Sequence, residues 1–156
     1  VGQRPVPDRS RAHVAGPHAM STPAPAPPCC GAERPCSVSD YIDRGVRRAR
    51  ATPLEALAAE CLDQAGRFAR FGVELRGGIV TTVGFRASWC TTLIAYCEVA
   101  AERVSGLPVA AALRSLHPAD LAQSLPSVPP IRRDRAQLAS RALVTALLRT
   151  AQETDP

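Results

Sequence analysis

Residues 78–113 read GIVTTVGFRASWCTTLIAYCEVAAERVSGLPVAAAL. The odd positions Ile79, Thr81, Val83, Phe85, Ala87 and Trp89 share one side of an extended chain, which predicts a strand with one apolar face. The alternation stops at Cys90. Beyond it Leu93, Cys97, Ala101 and Val104, with Ile94 and Ala100 beside them, form a helical stripe. Gly106 suits the residue after a helix C-terminus, and Pro108 the start of a second short helix. Cys90 is therefore expected where a strand turns into a helix N-terminus. Unpaired N–H groups and the helix dipole favour an anion there, which predicts a readily formed thiolate. A thiolate binds metal or carries sulfur; a thiol does neither well.

Outward from this stretch, Phe71, Val73 and Leu75 alternate with Arg70, Gly72 and Glu74. They predict a preceding strand joined by a Gly77-Gly78 hairpin. Upstream, Thr52-Pro53-Leu54-Glu55 has the form of a capping box, which predicts a helix through Leu57, Ala58 and Cys61 to Gly66. Asp40–Arg50 is Arg-rich with a mixed pattern, read as a short helix. Downstream, Pro118 opens a helix through Leu121 and Leu125. A proline-rich loop then leads to a last helix from about Arg132 to Thr150, with Leu138, Ala139, Ala142, Leu143, Ala146 and Leu147 on its apolar face.

The chain segment around Cys90 resembles the NifU/IscU family of iron–sulfur cluster assembly scaffolds. The family pattern, roughly G-I-x-x-A-x-F-x-x-x-G-C-x-x-x-x-A-S followed by V-x-G-K and L-x-E-A-L, runs without a gap through Gly78, Ile79, Phe85, Cys90, Ala95, Glu102, Val104, Gly106, Val109, Ala112 and Leu113. Val128-Pro129-Pro130-Ile131-Arg132 resembles its L-P-P-V-K motif. The similarity spans about residues 65 to 150. It implies an α+β fold, a small antiparallel sheet with helices packed on one face, over residues 39–152.

The resemblance also implies chemistry, and the chain departs from it. Family members hold an iron–sulfur cluster, or a zinc ion, with three cysteines and an Asp or His; soft thiolates suit both. The first cysteine belongs to a C-G-D motif, where this chain has Ala65, Gly66 and Arg67. The third follows a histidine, where this chain has Asp134 and Arg135. Only Cys90 remains. Cys61 and Asp134 are the candidate substitute metal ligands, while Cys97 lies on the apolar stripe and reads as core. Arg67 and Arg135 would oppose a cation at the site.

Three readings follow from the resemblance, none of them an enzyme in its own right. One is a scaffold binding iron or a cluster through Cys90, with unusual ligands or as a homodimer. Another is an acceptor of sulfur on Cys90 alone, as in SufE-like proteins. The last is an adaptor that has lost its ligands but still docks a cysteine desulfurase, and a chaperone at Val128, Pro129, Pro130, Ile131 and Arg132. Without any such role, Cys90 is expected to be a buried small residue with no chemistry, and Arg132, Arg133 and Arg135 plain solvated cations.

Composition narrows the alternatives. The 156 residues carry a formal charge of +5, but all nineteen basic residues are Arg, no basic run is interleaved with aromatics, and a nucleic-acid partner is not expected. No apolar run approaches the length of a membrane span, and the N-terminus lacks a signal-peptide core. Seven prolines precede Cys29, so residues 1–38 read as a disordered arm, with Met20 an alternative start to Val1. Cys29, Cys30 and Cys36 lack zinc-site spacing and read as tail thiols without partners. A reduced, cytoplasmic chain is the expectation. No catalytic triad, paired carboxylates or phosphate-cradling loop is visible.

Overall fold

The computed structural model describes residues 36–154 apart from residue 59. The proline-rich arm therefore lies, as far as residue 35, outside the described residues, as do Met20, Cys29 and Cys30. Cys36 is disulfide-bonded, which corrects its reading as a thiol without a partner.

The first element is the helix α1, Val38–Ala51, longer and better defined than its mixed pattern suggests. Ser37 caps it: its hydroxyl accepts from the Asp40 amide at 3.2 Å, and the Asp40 carboxylate accepts from the Ser37 amide at 2.8 Å. This capping box uses Asp at the third position, where Glu or Gln is usual.

The helix expected after Thr52 does not form. Thr52 instead closes α1, because the following Pro53 disfavours a helical conformation before it. The Thr52 hydroxyl donates backwards to the Arg48 carbonyl at 2.8 Å and accepts from the Phe85 amide at 3.2 Å. Only a 3₁₀ turn, Leu54–Ala56, follows, and Cys61 enters a short strand, β1, Cys61–Leu62. Gly66 lies in the β1–β2 turn with φ +74°, not at a helix end.

Strands β2, Phe68–Arg76, and β3, Ile79–Ala87, complete an antiparallel sheet of order β1-β2-β3. Gly77 and Gly78 both have positive φ, 57° and 75°, as a two-residue turn matched to the strand twist requires. The register steps from Glu74↔Thr82 to Leu75↔Val80, leaving Thr81 as an extra residue. This bulge reverses the face. Val83 and Phe85 point into the core as expected, but before the bulge it is Val80 that is buried while Ile79 is 43% exposed. Trp89 also leaves the expected face, at 84% exposed.

Helix α2, Thr91–Val104, is buried almost all round, as suits a central helix. Helix α5, Asp134–Thr154, lays Leu138, Ala139, Ala142, Leu143, Ala146 and Leu147 into the same core. Between them run α3, Val109–Ser115, and α4, Pro118–Gln123. The open edge of β3 is covered rather than left for pairing. Arg48 donates to the Val83 carbonyl, and Val80 exchanges backbone bonds with Leu107 and Gly106. The architecture is the expected α+β class. Among the described residues no helix is long and apolar enough to cross a membrane.

Candidate functional site

Cys90 occupies the corner between β3 and α2, as its sequence position predicts. It is the N-cap residue of α2, and its carbonyl accepts from the Ile94 amide at 2.9 Å. Its sulfur takes no part in the cap. Cys90 is half-buried and free, so the reading of it as a sealed core residue does not hold. The corner is held from below by the Phe68 amide, which donates to the Ser88 hydroxyl at 2.9 Å.

Arg135, in the first turn of α5, lies within electrostatic range of Cys90. Burial pushes its guanidinium down, but the bond to Asp134 and the influence of Cys90 outweigh this and raise it. Arg135 also donates to the Ile131 carbonyl at 2.9 Å and to the Asp134 carboxylate. The second oxygen of Asp134 accepts from Arg67 at 2.9 Å, and Arg67 in turn donates to Asp63 at 2.6 Å. Asp63, Arg67, Asp134 and Arg135 thus form a chain of alternating charge. Burial pushes the Asp63 carboxyl up. The Arg67 and Ala65 amides and the Arg67 guanidinium together hold it below the usual carboxylate range.

This chain of ion pairs stands where the resemblance expects metal donors. Asp134 has both its oxygens engaged by arginines. Cys61 is not brought to the site. Its sulfur lies 3.9 Å from the Thr145 hydroxyl. Thr145 is ten residues along α5 from Arg135, roughly 15 Å at 1.5 Å per residue. The reason is the strand that replaced the expected helix: β1 pairs Cys61 with Ala69 at the outer edge of the sheet. Cys97 is fully buried, and burial pushes its thiol far up, with the neighbouring Glu98 and Cys90 adding to the shift. Among the described residues no three of His, Cys, Asp and Glu converge as a metal would require. One thiol does not fit a cluster.

Beside the ion pairs lies a groove of about 660 Å³ walled by Asp63, Arg67, Asp134, Gln137 and Arg141; Cys90 is not among its walls. Two large apolar side chains stand out in solvent: Trp89, which precedes Cys90 in the chain, is 84% exposed, and Ile131, whose carbonyl accepts from Arg135, is 83% exposed. In the Pro-Pro segment Val128 is buried, while Pro129, Pro130, Ile131 and Arg132 are exposed on a 3₁₀ turn. Arg133 donates to the Val128 carbonyl at 3.3 Å and steadies the segment. Asp63 escaped the sequence reading, although its spacing of four from Arg67 around Gly66 was a usable turn signal.

Residues 45–154 match the family model of the NifU-like N terminal domain. Among solved structures the chain is similar to a nitrogen-fixing NifU-like protein (N-terminal) from Brucella abortus. That likeness has 21% identity and a TM-score of 0.43, over 76% of this chain and 99% of that one. No curated protein matches.

Proposed function

We infer the function from one premise: this chain belongs to the family of NifU-like N-terminal domains, which serve in iron–sulfur cluster assembly. Within that role we propose a carrier of sulfur rather than an enzyme or a holder of the finished cluster. Cys90 would accept sulfur from a cysteine desulfurase in the cytoplasm and pass it on. The observation that carries this reading is one free, half-buried thiol at the corner, with no converging set of metal donors among the described residues. A cluster needs several thiolates, whereas acceptance of sulfur needs one.

The surroundings support the same reading. A protein donor must reach the thiol, and the exposed Trp89, next to Cys90 in the chain, offers it apolar anchorage, as interface centres do. Exposed Pro129, Pro130, Ile131 and Arg132 favour chaperone docking at the Pro-Pro segment. That exposure also favours a second reading, an adaptor that docks partners without carrying sulfur.

Incubation with a cysteine desulfurase and cysteine tests the proposal. One sulfur should be added at Cys90 by mass spectrometry, and Cys90→Ser should abolish it. Anaerobic incubation with ferrous iron and sulfide should leave the protein colourless. A brown protein with thiolate-to-iron absorption would return it to the scaffold reading. Binding of the desulfurase without any added sulfur mass would leave the adaptor.

A further inference from the structure

We propose that a second groove, walled by the end of α1, the connector after it and one end of the sheet, docks an acidic segment of a partner protein. Arg50, Arg70 and Arg86 meet its carboxylates, and Leu54 and Trp89 hold its apolar side chains. The site is independent of the carrier reading: its walls include Trp89 but not Cys90.

The charge of this groove is one-sided. Arg70 and Arg86 stand opposite each other on β2 and β3 as direct cross-strand partners. Like charges so placed destabilise a sheet, and an anion seated against both relieves the repulsion. Arg50, exposed at the end of α1, adds a third cation to the same walls. None of the three has a carboxylate partner among the described residues, whose ion pairs all lie elsewhere. Against them the described walls hold a single acid, Glu60. Two of the guanidinium groups are already held in place. Arg70 donates to the Ala58 carbonyl at 3.1 Å, and Arg86 donates twice to the Thr52 carbonyl, at 3.2 and 2.9 Å. A carbonyl does not cancel the charge, and each group keeps further N–H donors for a carboxylate. Cations fixed beforehand lose little freedom on binding.

The same groove carries apolar surface. It encloses about 570 Å³, and its walls include Leu54, 62% exposed, and Trp89, 84% exposed. Half-buried Phe68 and buried Ile94 lie among them. A free inorganic anion would use the cations and leave this surface wet. A segment with carboxylates beside an apolar side chain uses both. A second copy of the chain would bring another formal charge of +5 to a face already basic. A nucleic acid stacks its bases on several aromatics, whereas among the described walls Trp89 alone is an exposed ring.

Trp89 is the single tryptophan of the chain, so its emission reports this groove alone. The test titrates the full chain with a short synthetic peptide, a Leu-Phe pair flanked on each side by aspartates. The emission should shift to the blue and saturate. The same peptide with lysines in place of the aspartates should leave it unchanged, a comparison that needs no variant. Arg50→Glu should weaken binding about fivefold, the upper scale of one exposed ion pair. Arg76→Glu makes the same change in net charge on an exposed residue at the far end of β2, roughly 20 Å along the strand from Arg70. Screening should hold its effect to about twofold or less. Leu54→Asp should also weaken binding. No shift, an equal response to the lysine peptide, or equal losses in Arg50→Glu and Arg76→Glu would overturn the proposal. So would tighter binding of an oligothymidylate, which would make the groove a nucleic-acid site. A blue shift on concentrating the protein alone would give the groove to a second copy and overturn it too. Failure of sulfur loading on Cys90 would instead strike the carrier reading and leave these measurements standing.

Discussion

Arg67 stands where the family pattern has an acidic residue, and it reverses the electrostatics of the corner. It pins Asp63 on one side and Asp134 on the other. Restoring donors should restore metal chemistry. The native chain should bind no zinc at this corner. Ala65→Cys, Arg67→Asp and Arg135→Cys together would give three thiols, with Cys90, and a carboxylate. That set suits tetrahedral zinc, and the triple variant should retain the metal and unfold at a higher temperature with it than without. A folded triple variant that holds no zinc would show that the corner is misshapen as well as mis-equipped. Asp63 sets a pH dependence. Its folded carboxyl lies below the ordinary aspartate range, so its stabilising effect is fully present above that range. The effect is lost as pH falls through the lower, folded value. Asp63→Asn should flatten this acid limb in melting temperatures measured from pH 2 to 6.

At the scale of elements, α1 is latched to α2 by a buried acid. Glu98 is 1% exposed and bonds the Arg48 guanidinium twice, at 2.7 and 2.9 Å. Arg48→Met would leave Glu98 buried without its main partner and should cost about 3–5 kcal/mol in chemical denaturation. Arg48→Met with Glu98→Leu should recover much of that. If the single variant is neutral, the latch contributes nothing. The connector after α1 imposes a second constraint. A Cβ on Gly72 would lie 2.1 Å from the Ala56 carbonyl oxygen, so Gly72→Ala should destabilise by roughly 1–3 kcal/mol by forcing backbone apart. Much of this level was legible in the sequence. The Gly77-Gly78 hairpin, the corner at Cys90, α2 and α5 all follow from spacing. The helix after Thr52 did not, because a Thr-Pro pair ends one helix as readily as it begins another. Which it does here depends on the Phe85 amide, thirty-three residues away.

For the whole molecule, the proposed carrier role calls for a surface that partners can reach, and Ile131 is the residue on which to test it. Ile131 contributes almost nothing to the core, being 83% exposed. Ile131→Asp should therefore change stability by no more than about 0.5 kcal/mol. It should nevertheless abolish pull-down of the family's chaperone, while desulfurase-dependent sulfur loading of Cys90 persists. Unchanged chaperone binding would remove the docking role of the Pro-Pro segment. The sequence by itself determined most of the elements, the class of fold and the address of the one thiol at the corner. Those are written in periods of two and 3.6 residues and in turn chemistry, which neighbours along the chain settle among themselves. Only the tertiary structure decided what surrounds that thiol. Arg67 meets Asp134 across 67 positions, and β1 carries Cys61 to the outer edge of the sheet. Such meetings depend on where the core sends each element, and no local pattern encodes them.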